Sequence, residues 1–344
     1  MNIMKINGDL CHEYLECLAE QELAFNEKKD LDEQKATIKQ KLFELMGLDR
    51  IAKNACPENL IIESEEEKDG YKQIRFIYES EKNMFVPAYL LIPNTGKEKY
   101  PVAITLQGHK GGGMYNSLGI VKTDGDKEYQ PRGAFALQAV ENGFAALCVE
   151  LRGMSGELEP NKRERKWGGN CAFTALSAML LGRTVLGERC WDVSRAIDLL
   201  HNFAELDTDN IIITGNSGGG TMSYYAACVD ERITLSAPSC AFCTFEQSLF
   251  NVYHCSCNYI PNIYNYFDMQ DLATLIAPRK LIIIAGLHDE IFTVSGVKKG
   301  FETVKKIYEK AGVPDNCELI ITDKAHYWCE DKVWPAILKK LNNK

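Results

Sequence analysis

The sequence predicts an α/β protein: a mostly parallel central sheet flanked by helices, with a helical extension at the N-terminus. Three observations carry this. Short, mostly apolar runs recur at residues 101–106, 144–150, 211–214 and 280–285, the pattern of strands buried on both faces, and 233–237 reads as a further strand. Helical periods lie between several of them, as crossovers between parallel strands require. Glycine-rich or polar stretches follow the strands, at the carboxyl ends where open α/β sheets bind ligands. With 344 residues and 45% hydrophobic content the chain can bury one large core, and sheets of this kind commonly form a single domain with extensions.

In order, residues 10–48 read as helical, with Cys11, Leu15, Leu18 and Phe25, then Ile38, Leu42 and Leu45, at helix spacing and Gly47 as the stop. Residues 1–60 are thus expected to form an extension packed on the main α/β domain at 61–344, which carries insertions near 157–187 and 239–266. The acidic run 63–70 reads as a solvated turn ending in Asp69-Gly70. Alternating Ile74, Phe76 and Tyr78 and the stretch 86–92 predict an antiparallel pair at the sheet edge. A glycine-rich loop (Gln107 to Gly113) follows the strand at 101–106, then a helix at about 133–142 and a strand ending before Arg152-Gly153. Residues 157–187 read as a long irregular insertion, and 239–266 as a second one. An amphipathic helix carrying Cys190, Val193, Ile197 and Leu200 leads into the strand at 211–214. After the strand at 280–285 come a helix with Val297, Phe301, Val304 and Tyr308, a strand at 318–321, and a closing helix with Trp334, Ile337, Leu338 and Leu341 inward.

The most informative stretch is Gly215-Asn216-Ser217-Gly218-Gly219-Gly220. A buried strand running into G-x-S-x-G and then a helix is the setting of a nucleophile elbow, in which a serine on a sharp turn exposes its hydroxyl and Gly215 and Gly219 let neighbouring backbone pass. No Lys-Ser/Thr pair follows, which excludes a P-loop. Asp289 and His326 fall just after two later strands, so serine, acid and base arrive in the chain order of an α/β-type triad. Serine needs a base to become nucleophilic, imidazole supplies one near neutral pH, and a carboxylate fixes its tautomer. His109 and Gly218 are the candidate backbone donors to an oxyanion. His288 is expected to line the pocket or support it, and His12 to lie on a helix surface.

The thirteen cysteines and the polar N-terminus predict a cytoplasmic protein with reduced thiols. Cys240-x-x-Cys243 followed by His254-Cys255-Ser256-Cys257 offers four zinc ligands on paper. Its spacing matches no common zinc module, so a reduced structural set, with no metal and no cofactor, is the expectation. A net charge of −9 argues against nucleic acid, no apolar run approaches a membrane span, and a homo-oligomer remains open.

Across most of its length the chain resembles the α/β-hydrolase superfamily, and within it bacterial acetyl xylan esterase-like and dienelactone hydrolase-like proteins. The resemblance rests on Gln107-Gly108-His109-Lys110-Gly111-Gly112-Gly113, Arg152-Gly153, Gly215 to Gly219, His254 to Pro261, Ile276-Ala277-Pro278-Arg279, Gly286 to Phe292 and Ala325-His326. It implies triad roles for Ser217, Asp289 and His326, an oxyanion hole from the His109 and Gly218 N–H groups, and an elbow buttress at Arg152. Gln107 departs from the family's first histidine in that loop, a change that leaves the donor backbone in place. The implied function is a serine carboxylesterase acting on short acyl esters of a carbohydrate or small alcohol, with Trp167, Tyr253, Tyr259 and Tyr264 as aromatic pocket candidates. A serine peptidase of the same fold and an inactive binding protein are the alternatives.

Overall fold

The computed structural model describes residues 9–109, 112–124, 126–128, 133–154, 157–158 and 170–342. Nine strands form one sheet among them: β1 Ile61–Lys68, β2 Tyr71–Glu81, β3 Met84–Pro93, β4 Tyr100–Leu106, β5 Ala145–Val149, β6 Leu206–Asn216, β7 Ile233–Ser239, β8 Lys280–Gly286 and β9 Cys317–Thr322. Their spatial order is β1-β2-β3-β5-β4-β6-β7-β8-β9. The first three strands and the β3–β5 pair are antiparallel, and every pairing from β5 to β9 is parallel.

Two helices open the described chain, α1 (Leu10–Leu18) and α2 (Leu31–Met46). Both faces of the parallel part of the sheet are covered. Ile211, Ile213, Leu281 and Ile283 join the larger core, which includes residues of α2, α3 (Leu48–Ala52), α4 (Val185–Asp198), α5 (Gly218–Val229) and α6 (Val294–Lys310). Ile212, Ile282 and Ile284 point the other way, into a core with Phe135, Trp328, Trp334 and Ile337. This strict alternation is the period of two of a pleated strand, with apolar residues on both faces because helices cover both. No helix among the described residues is long and apolar enough to cross a membrane.

Three expectations change. Residues 10–48 do not form one continuous helical segment: α1 and α2 are separated by chain whose backbone bonds outward, Glu22 N–H to Asn265 O (3.1 Å), Leu23 N–H to Tyr266 O (2.7 Å) and Phe25 N–H to Asp271 Oδ1 (2.8 Å). Asp30 restarts the helix by accepting from Glu33 N–H at 2.9 Å. The acidic run at 63–70 is largely strand β1, and only Asp69-Gly70 forms the turn. Its carboxylates sit at an exposed edge and pair across the ladder, Glu65 with Lys72 and Glu63 with Arg75, both at 2.5 Å. Within 157–187, residues Asn170–Leu180 are helical rather than irregular.

Candidate active site

At the end of β6 the chain makes a sharp turn, with Ser217 at φ 56° and ψ −122° immediately before α5. A non-glycine residue in that region carries strain on the order of 1–3 kcal/mol and persists only where its surroundings fix it. Here Ser217 N–H donates to Ser239 O (2.9 Å), Thr221 N–H donates to Ser217 O (2.8 Å), and Ser239 Oγ donates to Asn216 Oδ1 (2.9 Å). An ideal Cβ on Gly215 or Gly219 would overlap the Leu106 carbonyl, so both positions require glycine for close approach of β4. Ser217 itself is partly exposed while Gly215, Asn216, Gly218 and Gly219 are buried.

Asp289 and His326 follow β8 and β9. His326 Nδ1 lies 2.8 Å from Asp289 Oδ2, and the other carboxylate oxygen accepts from Ile291 N–H (2.8 Å) and Phe292 N–H (3.1 Å). Burial alone would raise the Asp289 carboxyl, but the hydrogen bond and charge of His326, with the two backbone donors, hold it below its ordinary value. The two loops are joined directly, Leu287 N–H to Thr322 O (2.9 Å) and His288 N–H to Lys324 O (3.0 Å). His288 and His12 are exposed.

Cys240, next in sequence to the carbonyl that binds the elbow N–H, has its sulfur within 4.8 Å of both the Asp289 carboxylate and a His326 ring nitrogen. Serine turn, acid and base thus share one end of the sheet.

Two further residues complete this side. Phe292 stacks on the His326 ring (6.0 Å between centroids, 15° between planes), and His254 meets Phe292 edge-on at 5.1 Å. Burial, then the neighbouring His326, pushes His254 down to about 4, and its Nε2 lies 2.9 Å from Ser248 Oγ.

Next to Ser217, an ideal Cβ on Gly218 would lie 3.0 Å from His109 Nδ1, and one on Gly108 would lie 2.9 Å from Asn216 O. The loop after β4 therefore rests on the elbow. The Gln107 side chain is fully buried beneath it. Arg152 supports this region at one remove. Its guanidinium forks onto Asp192 (2.7 and 2.6 Å) and pairs with Glu81 at 2.9 Å, while Met154, two residues on, reaches Gly218.

The aromatic candidates do not gather into one wall. Tyr253 is 90% exposed, Tyr259 is exposed with its hydroxyl donating to Leu249 O (3.3 Å), and Tyr264 packs on Phe245 and Phe250. Trp167 lies outside the described residues.

The four-cysteine grouping is corrected. Cys240 belongs to the acid and base loops, and Cys243 Sγ points to Thr293 O (3.7 Å). Cys255 and Cys257 instead meet His109 and Cys171, with all four ligand atoms within 4.8 Å of one another. Burial would lower the His109 imidazole, but hydrogen bonding with the Cys171 and Cys255 sulfurs pushes it up to about 9. The Cys171 thiol is held well below its usual range by hydrogen bonds from Cys255 and Cys257, with His109 and Arg189 adding to them.

A model described as the Abhydrolase family matches residues 11–233, about two thirds of the chain and including β1 to β6, the elbow and α5. The chain belongs to the Abhydrolase family. Among relatives of this Abhydrolase protein, the "Putative hydrolase YtaP" of Bacillus subtilis (strain 168) is 24% identical over 299 residues, covering 85% of this chain and 94% of its own. The crystal structure of "a putative acetyl xylan esterase" from Bacteroides fragilis NCTC 9343 superposes with a TM-score of 0.81 at 17% identity, over 99% of this chain and 96% of that one. A glucuronoyl esterase from Solibacter usitatus gives 0.60 at 15% identity, over 86% and 90%. At these identities the superpositions establish the α/β-hydrolase fold of this Abhydrolase member, whose sheet and helices they follow.

Proposed function

We propose that the chain is a serine carboxylesterase that removes short acyl groups, acetyl foremost, from a carbohydrate or another small alcohol. The observation that carries this is a serine on a positive-φ turn at the same sheet end as a hydrogen-bonded Asp289–His326 pair. With its Nδ1 proton held by Asp289, His326 has Nε2 free to take the Ser217 hydroxyl proton as Oγ adds to the ester carbonyl. The oxyanion is received by the His109 and Gly218 N–H groups, at a loop and a helix start that rest on each other. Protonated His326 then gives its proton to the departing alcohol. A water deprotonated by the same imidazole releases the acyl group from Ser217.

For the acyl preference we draw on the neighbours of the elbow: Met154 and the His109 ring both lie beside Gly218. The names of the Bacteroides fragilis and Solibacter usitatus neighbours, an acetyl xylan esterase and a glucuronoyl esterase in those words, favour a sugar-linked ester.

A p-nitrophenyl ester series tests this. Acetate is expected to exceed octanoate in kcat/KM by on the order of 100-fold, since a short pocket holds the longer chain out of the oxyanion-bound geometry. Acetate release from acetylated xylo-oligosaccharides should follow. A preference rising with chain length overturns the short-acyl reading. Good acetyl activity without release from acetylated sugars removes the carbohydrate, and faster cleavage of peptides than esters favours a peptidase.

A further inference from the structure

We propose that His109, Cys171, Cys255 and Cys257 bind a zinc ion in a closed structural site, which fastens the loop after β4 to the segments beside the elbow. Three thiols and an imidazole are the soft donor set that selects zinc, and Cys₃His is an established tetrahedral combination. Zinc–sulfur and zinc–nitrogen bonds of about 2.3 and 2.0 Å put the edges of such a tetrahedron at roughly 3.5–3.8 Å. The four donor atoms here all fall within 4.8 Å of one another, and His109 Nε2 stands 3.2 Å from Cys171 Sγ and 3.3 Å from Cys257 Sγ. One ring nitrogen placed almost equally between two sulfurs suits a shared central ion better than a single N–H···S bond.

Charge gives an independent reason. Arg189 is 1% exposed, and its guanidinium donates to the Arg152 carbonyl (3.0 Å from Nε) and to Cys171 Sγ (3.3 Å). A buried cation whose partners among the described residues are a carbonyl and thiol sulfurs calls for negative charge close by. Zinc with three thiolates carries a net charge of −1, so one guanidinium against Cys171 balances the site. Binding displaces three protons from the His109–thiol cluster into solvent, leaving three thiolates and a neutral imidazole, with no oxidation or reduction.

The ligands come from three places in the chain: the loop after β4, the start of Asn170–Leu180, and the short helical turn Ser256–Asn258 with Cys255 before it. Cys171 and Cys257 are buried, and four protein ligands leave no open position. The ion therefore holds structure and takes no part in ester chemistry. Ligation through Nε2 leaves the His109 proton on Nδ1, the ring atom nearest Gly218, and fixes the loop that carries the His109 backbone N–H. This inference does not depend on the esterase reading.

The test is elemental analysis of full-length protein made in zinc-containing medium and purified reduced, without chelator. About one zinc per chain is expected, and exchange for cobalt(II) should give the strong visible bands and sulfur-to-cobalt charge transfer of a tetrahedral thiolate site. Cys257→Ser and Cys171→Ser should each cut bound metal at least about tenfold, whereas Cys243→Ser should retain it. If the serine variants do not fold, mercurial titration of the wild type substitutes, and zinc should be released as thiols are blocked. Three results overturn the proposal: wild type with less than about a tenth of an equivalent of zinc and no cobalt spectrum; zinc retained when Cys171 or Cys257 is replaced; or zinc that survives mercurial blocking.

Discussion

Replacing Asp289 by asparagine isolates the role of one carboxylate because the structure dictates how the amide must sit. Oδ1 of Asp289 accepts two backbone N–H groups, from Ile291 and Phe292, so the oxygen of the introduced amide has to take that position. The amide NH₂ is then turned toward His326 Nδ1, where the carboxylate oxygen had been at 2.8 Å. A donor there forces Nδ1 to accept and places the imidazole proton on Nε2, the atom needed to receive the serine proton. The expected loss is about 10³–10⁴ in kcat, or roughly 4–5.5 kcal/mol of transition-state stabilisation. Because shape and backbone bonds are preserved, the fold should survive. The assay is kcat and KM on p-nitrophenyl acetate beside a thermal melt, with Glu290→Gln as the control. Asp289→Asn within tenfold of wild type, together with a collapse of Glu290→Gln, would refute the assignment of the acid.

Other outcomes follow from particular contacts. Arg152→Met strips a fully buried Asp192 of its fork and Glu81 of one partner, and should destabilise by about 3–5 kcal/mol, read in a urea melt. Gly219→Ala drives a Cβ into the Leu106 carbonyl and should cost on the order of 1–3 kcal/mol, with activity falling further because the shifted carbonyl leads into the His109 loop. His254, pushed down to about 4 when folded, is protonated first in the unfolded chain as pH falls below ~6.5. Its contribution to stability is therefore intact above ~6.5 and declines toward pH 4, by up to about 3 kcal/mol, and His254→Gln should flatten that part of the stability–pH curve.

The parts of the site that are readable from sequence obey local rules. G-x-S-x-G after a β-run needs only a short contiguous stretch to declare itself, and parallel strands deliver Asp289 and His326 to the same edge because each follows its strand directly. The cysteine site obeys no such rule. Cys171 stands 62 residues from His109 and 18 from Arg189, and the fold alone brings these together with Cys255 and Cys257. Cys240-x-x-Cys243 misleads because the chain leaves β7 through a positive φ at Cys240, sending one thiol to Asp289 and the other toward Thr293. Strand β1 is hidden because an exposed edge needs no apolar alternation, and its glutamates are stabilised by partners on β2 that a one-dimensional reading does not pair. The break at residues 19–30 is masked by apolar residues at helix spacing, although Asp30 is available as a cap.

The most direct test of the central claim is where a fluorophosphonate attaches. Folded wild-type protein should take up the probe stoichiometrically, with peptide mapping placing the adduct on Ser217, and Ser217→Ala should take up none while melting like the wild type. A different labelled residue, or no labelling of folded protein that hydrolyses p-nitrophenyl acetate, would contradict Ser217 as the nucleophile.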